Sequence, residues 1–149
     1  MKDLKNKVVL ITGASTGIGA ATAIAFAKEG AKVLVNYNNS ESKANNVVKT
    51  IKEIGGNAFA LQGDASKEAD MQKLIDSTVL EYGELNIIIN NAGGMIERAK
   101  IEEINESLFN DVFNLNCKSV MLGTKLATNC FNCSYNSILI NFNHCYYLI

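Results

Sequence analysis

The residues whose types and spacing suit chemistry gather in a few places along the chain, the first being a glycine-rich turn. Thr12-Gly13-Ala14-Ser15-Thr16-Gly17-Ile18-Gly19 directly follows a short apolar run and opens a helical pattern that reaches Glu29. Glycine at 13 permits a tight turn, glycine at 17 lets backbone approach a ligand, and glycine at 19 lets helix pack closely on strand. Free N–H groups at the helix start, with the macrodipole behind them, favour a diphosphate. Taken alone, such a turn is equally well an ordinary strand-to-helix connection. Inside a complete βαβ unit it becomes a dinucleotide site, to which Gly13, Ser15, Thr16, Gly17, Ile18 and Gly19 contribute.

The second place is the end of the next apolar run, where an acidic side chain would accept hydrogen bonds from the ribose 2′-OH of NAD. The sequence there reads Asn36-Tyr37-Asn38-Asn39. Nothing in it repels a 2′-phosphate and no Arg attracts one, so the expected cofactor is NADP, with NAD close behind, and Asn36 belongs to the expected site. Asp64, followed by Ala65, comes after the third run, in place to hydrogen-bond an adenine. Spacing alone equally supports a turn-capping Asp before Ser66. The fourth run ends in Asn90-Asn91-Ala92-Gly93-Gly94. In a doubly wound sheet this end and that of the first run flank the switch point where ligands bind, so Asn91, Ala92 and Gly93 are expected in the crevice wall.

The elements that must position these residues are legible as periodicity. Lys7 to Ile11, Lys32 to Val35, Ala58 to Leu61 and Leu85 to Ile89 read as strands buried on both faces. Ala44, Val47, Val48, Ile51 and Ile54 form a helical stripe stopped by Gly55-Gly56, and Met71, Leu74, Ile75, Val79 and Tyr82 form another closed by Gly83. Alternating strands and helices imply right-handed βαβ units and a parallel sheet. The fold class is therefore α/β, a Rossmann-like doubly wound parallel sheet, truncated after about five strands.

Composition supports one compact domain: 149 residues, 48% hydrophobic and 19% charged, with a formal charge of −1. No basic run marks a nucleic-acid or anionic-membrane partner, and no apolar stretch has a bilayer's length. With no export signal at the N-terminus, the expected location is cytoplasmic. Charge is unevenly spread, because every Lys, Arg, Asp and Glu lies between Lys2 and Lys125. Residues 1–125 read as the dinucleotide-binding domain. Residues 126–149 read as an aberrant uncharged tail with a fifth strand near Asn136–Asn141. A shifted reading frame after about residue 125 would explain that tail, and a zinc clamp of Cys130, Cys133, His144 and Cys145 is a weaker alternative.

Thr12-Gly13, Gly17, Gly19, Asp64, Asn90-Asn91-Ala92-Gly93 and Asn116 resemble, in order and spacing, the signature of the short-chain dehydrogenase/reductase family. Val33 to Tyr37 and Ser119 to Lys125 are similar to segments of its bacterial 3-oxoacyl-acyl-carrier-protein reductases and glucose 1-dehydrogenases. The resemblance implies a nicotinamide cofactor and hydride exchange with a carbonyl or alcohol. It also implies four catalytic positions: an Asn that holds a proton-relaying water, a Ser after the fifth strand, and a Tyr-x-x-x-Lys pair. Asn116 matches the first. Ser137 falls at the wrong end of its strand, Tyr146 and Tyr147 come too early, and no Tyr-x-x-x-Lys occurs. Without a proton donor for the alkoxide that hydride transfer creates, at most residual activity is expected. A non-catalytic NAD(P)-binding module, or a structural subunit pairing with a full-length relative, is the alternative. Relatives of this kind assemble through helices, which implies an oligomer through the helix around Asn116.

Overall fold

A computed structural model describes residues 4–130 and 138–141. Cys133, Ser137, His144, Cys145, Tyr146 and Tyr147, weighed above, lie outside the described residues.

The apolar runs form parallel strands because each is sandwiched. Strands β1 (Val8–Ile11), β2 (Lys32–Tyr37), β3 (Asn57–Gln62), β4 (Ile87–Asn90) and β5 (Ile138–Asn141) make one sheet in the order β3-β2-β1-β4-β5. Every pairing is parallel. Side chains alternate between two cores. Val9, Ile11, Val33, Val35, Ile87 and Ile89 face one side, where α1 (Gly17–Lys28) and α2 (Glu41–Glu53) cover them. Val8, Leu10, Leu34 and Ile88 face the other, packed with Met71, Leu74 and Ile75 of α3 (Glu68–Tyr82) and with Leu122, Leu126 and Ala127. Burial on both faces is what makes a parallel strand read as an unbroken apolar run. β3, beyond which the described residues place no further strand, departs from that expectation: Phe59, Ala60 and Leu61 are only partly buried.

The helices stop where their glycines allow. Gly83 after α3 adopts φ +87 and Gly55 after α2 adopts φ +79, conformations that L side chains resist. The last helical stretch is continuous but not uniform, running from α4 (Glu106–Phe113) through a π-helical turn, Asn114–Lys118, into α5 (Ser119–Cys130). α5 crosses the compositional boundary at Lys125 without interruption, since Leu122 and Leu126 lie one turn apart on its buried side. Strand order reverses between β1 and β4, which makes their C-terminal ends the switch point of the sheet.

Candidate functional site

The switch point holds a cleft of about 470 Å³, lined on one side by Gly13 and the Thr16–Gly19 segment and on the other by residues 91–95. Its floor is a polar knot. The Thr12 hydroxyl, 1% exposed, accepts hydrogen bonds from the backbone N–H of Asn91 (3.0 Å) and Ala92 (2.9 Å), binding the end of β4 to the end of β1. Asn91 returns the tie, with Nδ2 donating to the carbonyls of Thr12 (2.9 Å) and Gly13 (3.1 Å). Its Oδ1 is buried with no hydrogen-bond partner among the described residues.

The glycines are there for space and conformation. Gly13 turns at φ +62, and a Cβ on it would stand 3.0 Å from the Ala92 Cα. A Cβ on Gly19 would stand 2.5 Å from Asn91 Nδ2 and 2.7 Å from the Gly13 carbonyl oxygen. At Gly17, φ +57, a Cβ would meet nothing, so backbone there is open to the cleft. Thr16 is the N-cap of α1 and makes no side-chain cap, and the first turn contains no acidic residue. The helix start therefore presents N–H groups and positive dipole without a built-in anion. Ile18 and Met95, about half exposed, form apolar lips.

Of the residues expected at the site, the cleft brings together Gly13, Thr16, Gly17, Ile18, Gly19, Asn91, Ala92 and Gly93, and adds Gly94 and Met95. Ser15, Asn36, Asp64 and Ala65 do not line it. Asn36 is 1% exposed and its amide is engaged inside the fold. Oδ1 accepts from Gly13 N (3.1 Å) and Nδ2 donates to the carbonyls of Gly63 (2.9 Å), Leu61 and Tyr37 (both 3.3 Å). It thus braces the glycine-rich turn from beneath instead of facing a ribose. Asp64 caps its own turn, with Oδ1 accepting from Ser66 N (3.0 Å) and Ser66 Oγ (2.7 Å) and Oδ2 lying 3.6 Å from Lys67 Nζ. Partial burial works to raise this carboxyl, but the Ser66 hydrogen bonds and the Lys67 ammonium prevail and hold it below the ordinary Asp range. Ala65 is buried in the core beside α3.

Asn116 sits in the π-helical turn and reaches the far wall of the cleft. Oδ1 accepts from Gly94 N (3.0 Å), while Nδ2 donates to Gly94 O (3.0 Å) and Val112 O (2.9 Å). The chain's own helix is pressed onto β4 nearby, since a Cβ on Gly123 would collide with the Asn90 carboxamide. Across the surface, Lys125 Nζ contacts Glu68 Oε1 at 2.9 Å. Among the described residues no group of three His, Cys, Asp or Glu could hold a metal ion, and the thiols of Cys117 and Cys130 are free and exposed. No helix of the described residues is long and apolar enough to cross a membrane. The sequence marks Thr12 as the start of the glycine-rich turn, with no role given to its hydroxyl, and does not single out Met95. Met95 has no sequence signal to find it by.

Strand order, a glycine-rich turn at the head of α1 and a crevice between β1 and β4 define a Rossmann-type doubly wound α/β protein. The sequence profile of the short chain dehydrogenases matches residues 7–142, and the chain belongs to that family. It is 42% identical over 128 residues to an uncharacterized oxidoreductase of Methylorubrum extorquens, covering 86% of this chain and 51% of that protein. It is 43% identical to a probable tetrahydroxynaphthalene reductase of Zymoseptoria tritici, covering 77% of this chain and 43% of that one. The chain thus spans about half the length of the curated relatives it matches. Among solved structures, the NADH-dependent reductase A1-R′, responsible for alginate metabolism, superposes with TM-score 0.88 at 34% identity over 95% of this chain and 59% of its own. The same reductase complexed with NAD gives 0.87 over 93% of this chain and 60% of its own. A short chain dehydrogenase of Burkholderia cenocepacia in complex with NADP gives 0.82 at 30% identity, over 87% of this chain and 52% of its own.

Proposed function

We propose that the chain is the dinucleotide-holding portion of an NAD(P)-dependent oxidoreductase, binding NADP with NAD a close second. The observation that carries this reading is the start of α1, uncapped by any side chain, free of acid in its first turn and opening on the cleft. The residues present fit a nicotinamide dinucleotide. Gly17 leaves room for a diphosphate against backbone, and the buried Oδ1 of Asn91, without a partner among the described residues, is an acceptor suited to an N–H or O–H of a ligand. The preference for NADP rests on the absence of a carboxylate from Asn36-Tyr37-Asn38-Asn39. The neighbours in complex with NAD and with NADP support either nucleotide.

A bound dinucleotide would supply or accept a hydride, with a carbonyl or alcohol as its counterpart. The 149 residues contain no Tyr-x-x-x-Lys to protonate the resulting oxyanion, so taken by themselves they hold cofactor with residual turnover at most. It works in the cytoplasm and associates through the helix around Asn116. Thermal melting with NADPH and NADH tests the binding claim: nucleotide at 100-fold its dissociation constant adds about 2.7 kcal/mol of stability. Melting temperatures unmoved by millimolar nucleotide would sink the reading. Carbonyl-dependent NADPH oxidation faster than a trace rate would overturn the catalytic half alone.

A further inference from the structure

We propose that Asp70, on α3 and outside the cleft, is a positioning residue for the dinucleotide, acting through the Gly63–Asp64 peptide on which the glycine-rich turn rests; this depends on the dinucleotide reading above. Asp70 is the third residue of α3, and its partly buried carboxylate reaches back past the helix start, where Oδ2 accepts from Asp64 N at 2.9 Å. The other polar end of the same peptide, Gly63 O, accepts from Asn36 Nδ2 at 2.9 Å. A peptide unit is planar and rigid, so these two side chains hold one body between them. Its flanks are engaged as well, with Gly63 N donating to Tyr37 O and Lys67 N donating to Asp64 O, both at 2.9 Å. Leu74, one turn beyond Asp70, packs so closely on Gly63 that a Cβ there would stand 3.1 Å from Leu74 Cγ.

Asn36 carries the consequence to the cleft. Its side chain is 1% exposed, Oδ1 accepts from Gly13 N (3.1 Å), and its main-chain carbonyl accepts from Ala14 N (2.8 Å). A buried amide follows its partners, because a donor left unpaired there keeps the full cost of leaving water. Displacing Gly63 O therefore displaces Nδ2, and with it the oxygen that fixes Gly13 N. Gly13 lines the cleft and begins the turn that aims the N–H groups of α1 at a diphosphate. Asp70 is thus joined to the ligand site through Asp64 N, Gly63 O, Asn36 and Gly13 N without lining the cleft itself. A turn held in place beforehand spares the ligand the cost of ordering it.

The test is calorimetric titration of the full chain with whichever of NADPH and NADH the wild type binds more tightly, at a temperature where every variant is folded. Asp70→Ala is expected to weaken binding by about fivefold to tenfold, and Asp70→Asn, which keeps an acceptor of the same reach, by less than about threefold. Gly83→Ala is the control for general weakening of α3. It sits at the helix's far end at φ +87, where a Cβ meets nothing, so it strains the backbone without touching Gly63 or Asp64. It is expected to lower the melting temperature and leave affinity within about twofold of wild type. Unchanged binding by Asp70→Ala, an equal loss in Asp70→Asn, or an equal loss in Gly83→Ala each overturns the role and leaves the dinucleotide reading standing. A wild type that binds neither nucleotide overturns both. Should Asp70→Ala fail to fold, Asp70→Ser takes its place, polar enough for a helix start and one bond too short for Asp64 N. Wild-type affinity in that variant refutes the role, and a loss that Asp70→Asn does not share supports it.

Discussion

A carboxylate at a strand end can serve a ligand or its own turn, and Asp64 is committed to the turn by three polar contacts. Those contacts favour its ionised form, so its folded-state pKa lies below the ordinary Asp value. The stabilisation is then present above the usual carboxylate range and is lost as pH falls through the depressed folded value. Urea unfolding of wild type and Asp64→Asn should show wild type ahead at pH 7, with the gap narrowing below about pH 4. A gap constant with pH would mean the charge of Asp64 does nothing. The glycines separate space from conformation in the same way. Gly19→Ala drives a methyl into Asn91 Nδ2 and the Gly13 carbonyl, and is expected to cost about 1–3 kcal/mol as α1 is pushed off β1. Gly17→Ala meets open space but sits at φ +57, so its expected cost is about 1 kcal/mol of backbone strain alone. Thermal melts of the two variants rank them, and an equal or reversed ranking contradicts the packing argument.

At the scale of elements, the joint between the ends of β1 and β4 includes one buried hydroxyl that accepts hydrogen bonds from two backbone N–H groups. Thr12→Val keeps the shape and removes the acceptor for Asn91 N and Ala92 N, an expected loss of about 1–3 kcal/mol by urea unfolding. A loss under about 0.5 kcal/mol would show that the hydroxyl contributes little to the joint. The strands and helix stops around this joint were legible in sequence because their causes are local: β-branched runs buried on two faces, and glycines at positive φ after α2 and α3. Side-chain direction was not legible. Asn36 stands where a ribose-facing residue would, but its pairing with Leu61 on β3 turns its amide under the Gly13 turn and toward Gly63. That register is set by residues a full βαβ unit away. The Asn116–Gly94 contact spans a loop with no periodicity, so spacing had nothing to report. The loss of charge after Lys125 suggested a boundary, yet Leu126 and Ala127 continue the buried side of α5, because packing needs only apolar residues at the right spacing.

At the scale of the whole molecule, the helical stretch through Asn116 is two-sided. One side, with Leu122, Leu126 and Ala127, packs into the core shared with α3, and Asn116 holds the loop after β4. The other carries Phe109, Phe113 and Met121 at 51%, 52% and 50% exposure, four and eight residues apart, with exposed Cys117 completing the spacing. The rings of Phe109 and Phe113 stack at 6.2 Å. Large exposed apolar groups aligned on a helix mark an association surface more often than scattered ones do. A stripe of this kind is self-complementary about a two-fold axis, because two antiparallel copies bring each aromatic pair against the other's Met121 end. The expected outcome is that the 16.2 kDa chain sediments as a concentration-dependent monomer–dimer mixture. Phe113→Asp, at an exposed residue that does not line the cleft, should then sediment as a monomer throughout while retaining wild-type dinucleotide affinity. A wild type monomeric at every concentration leaves the stripe without a role in assembly, and a variant that stays dimeric moves the interface to another face.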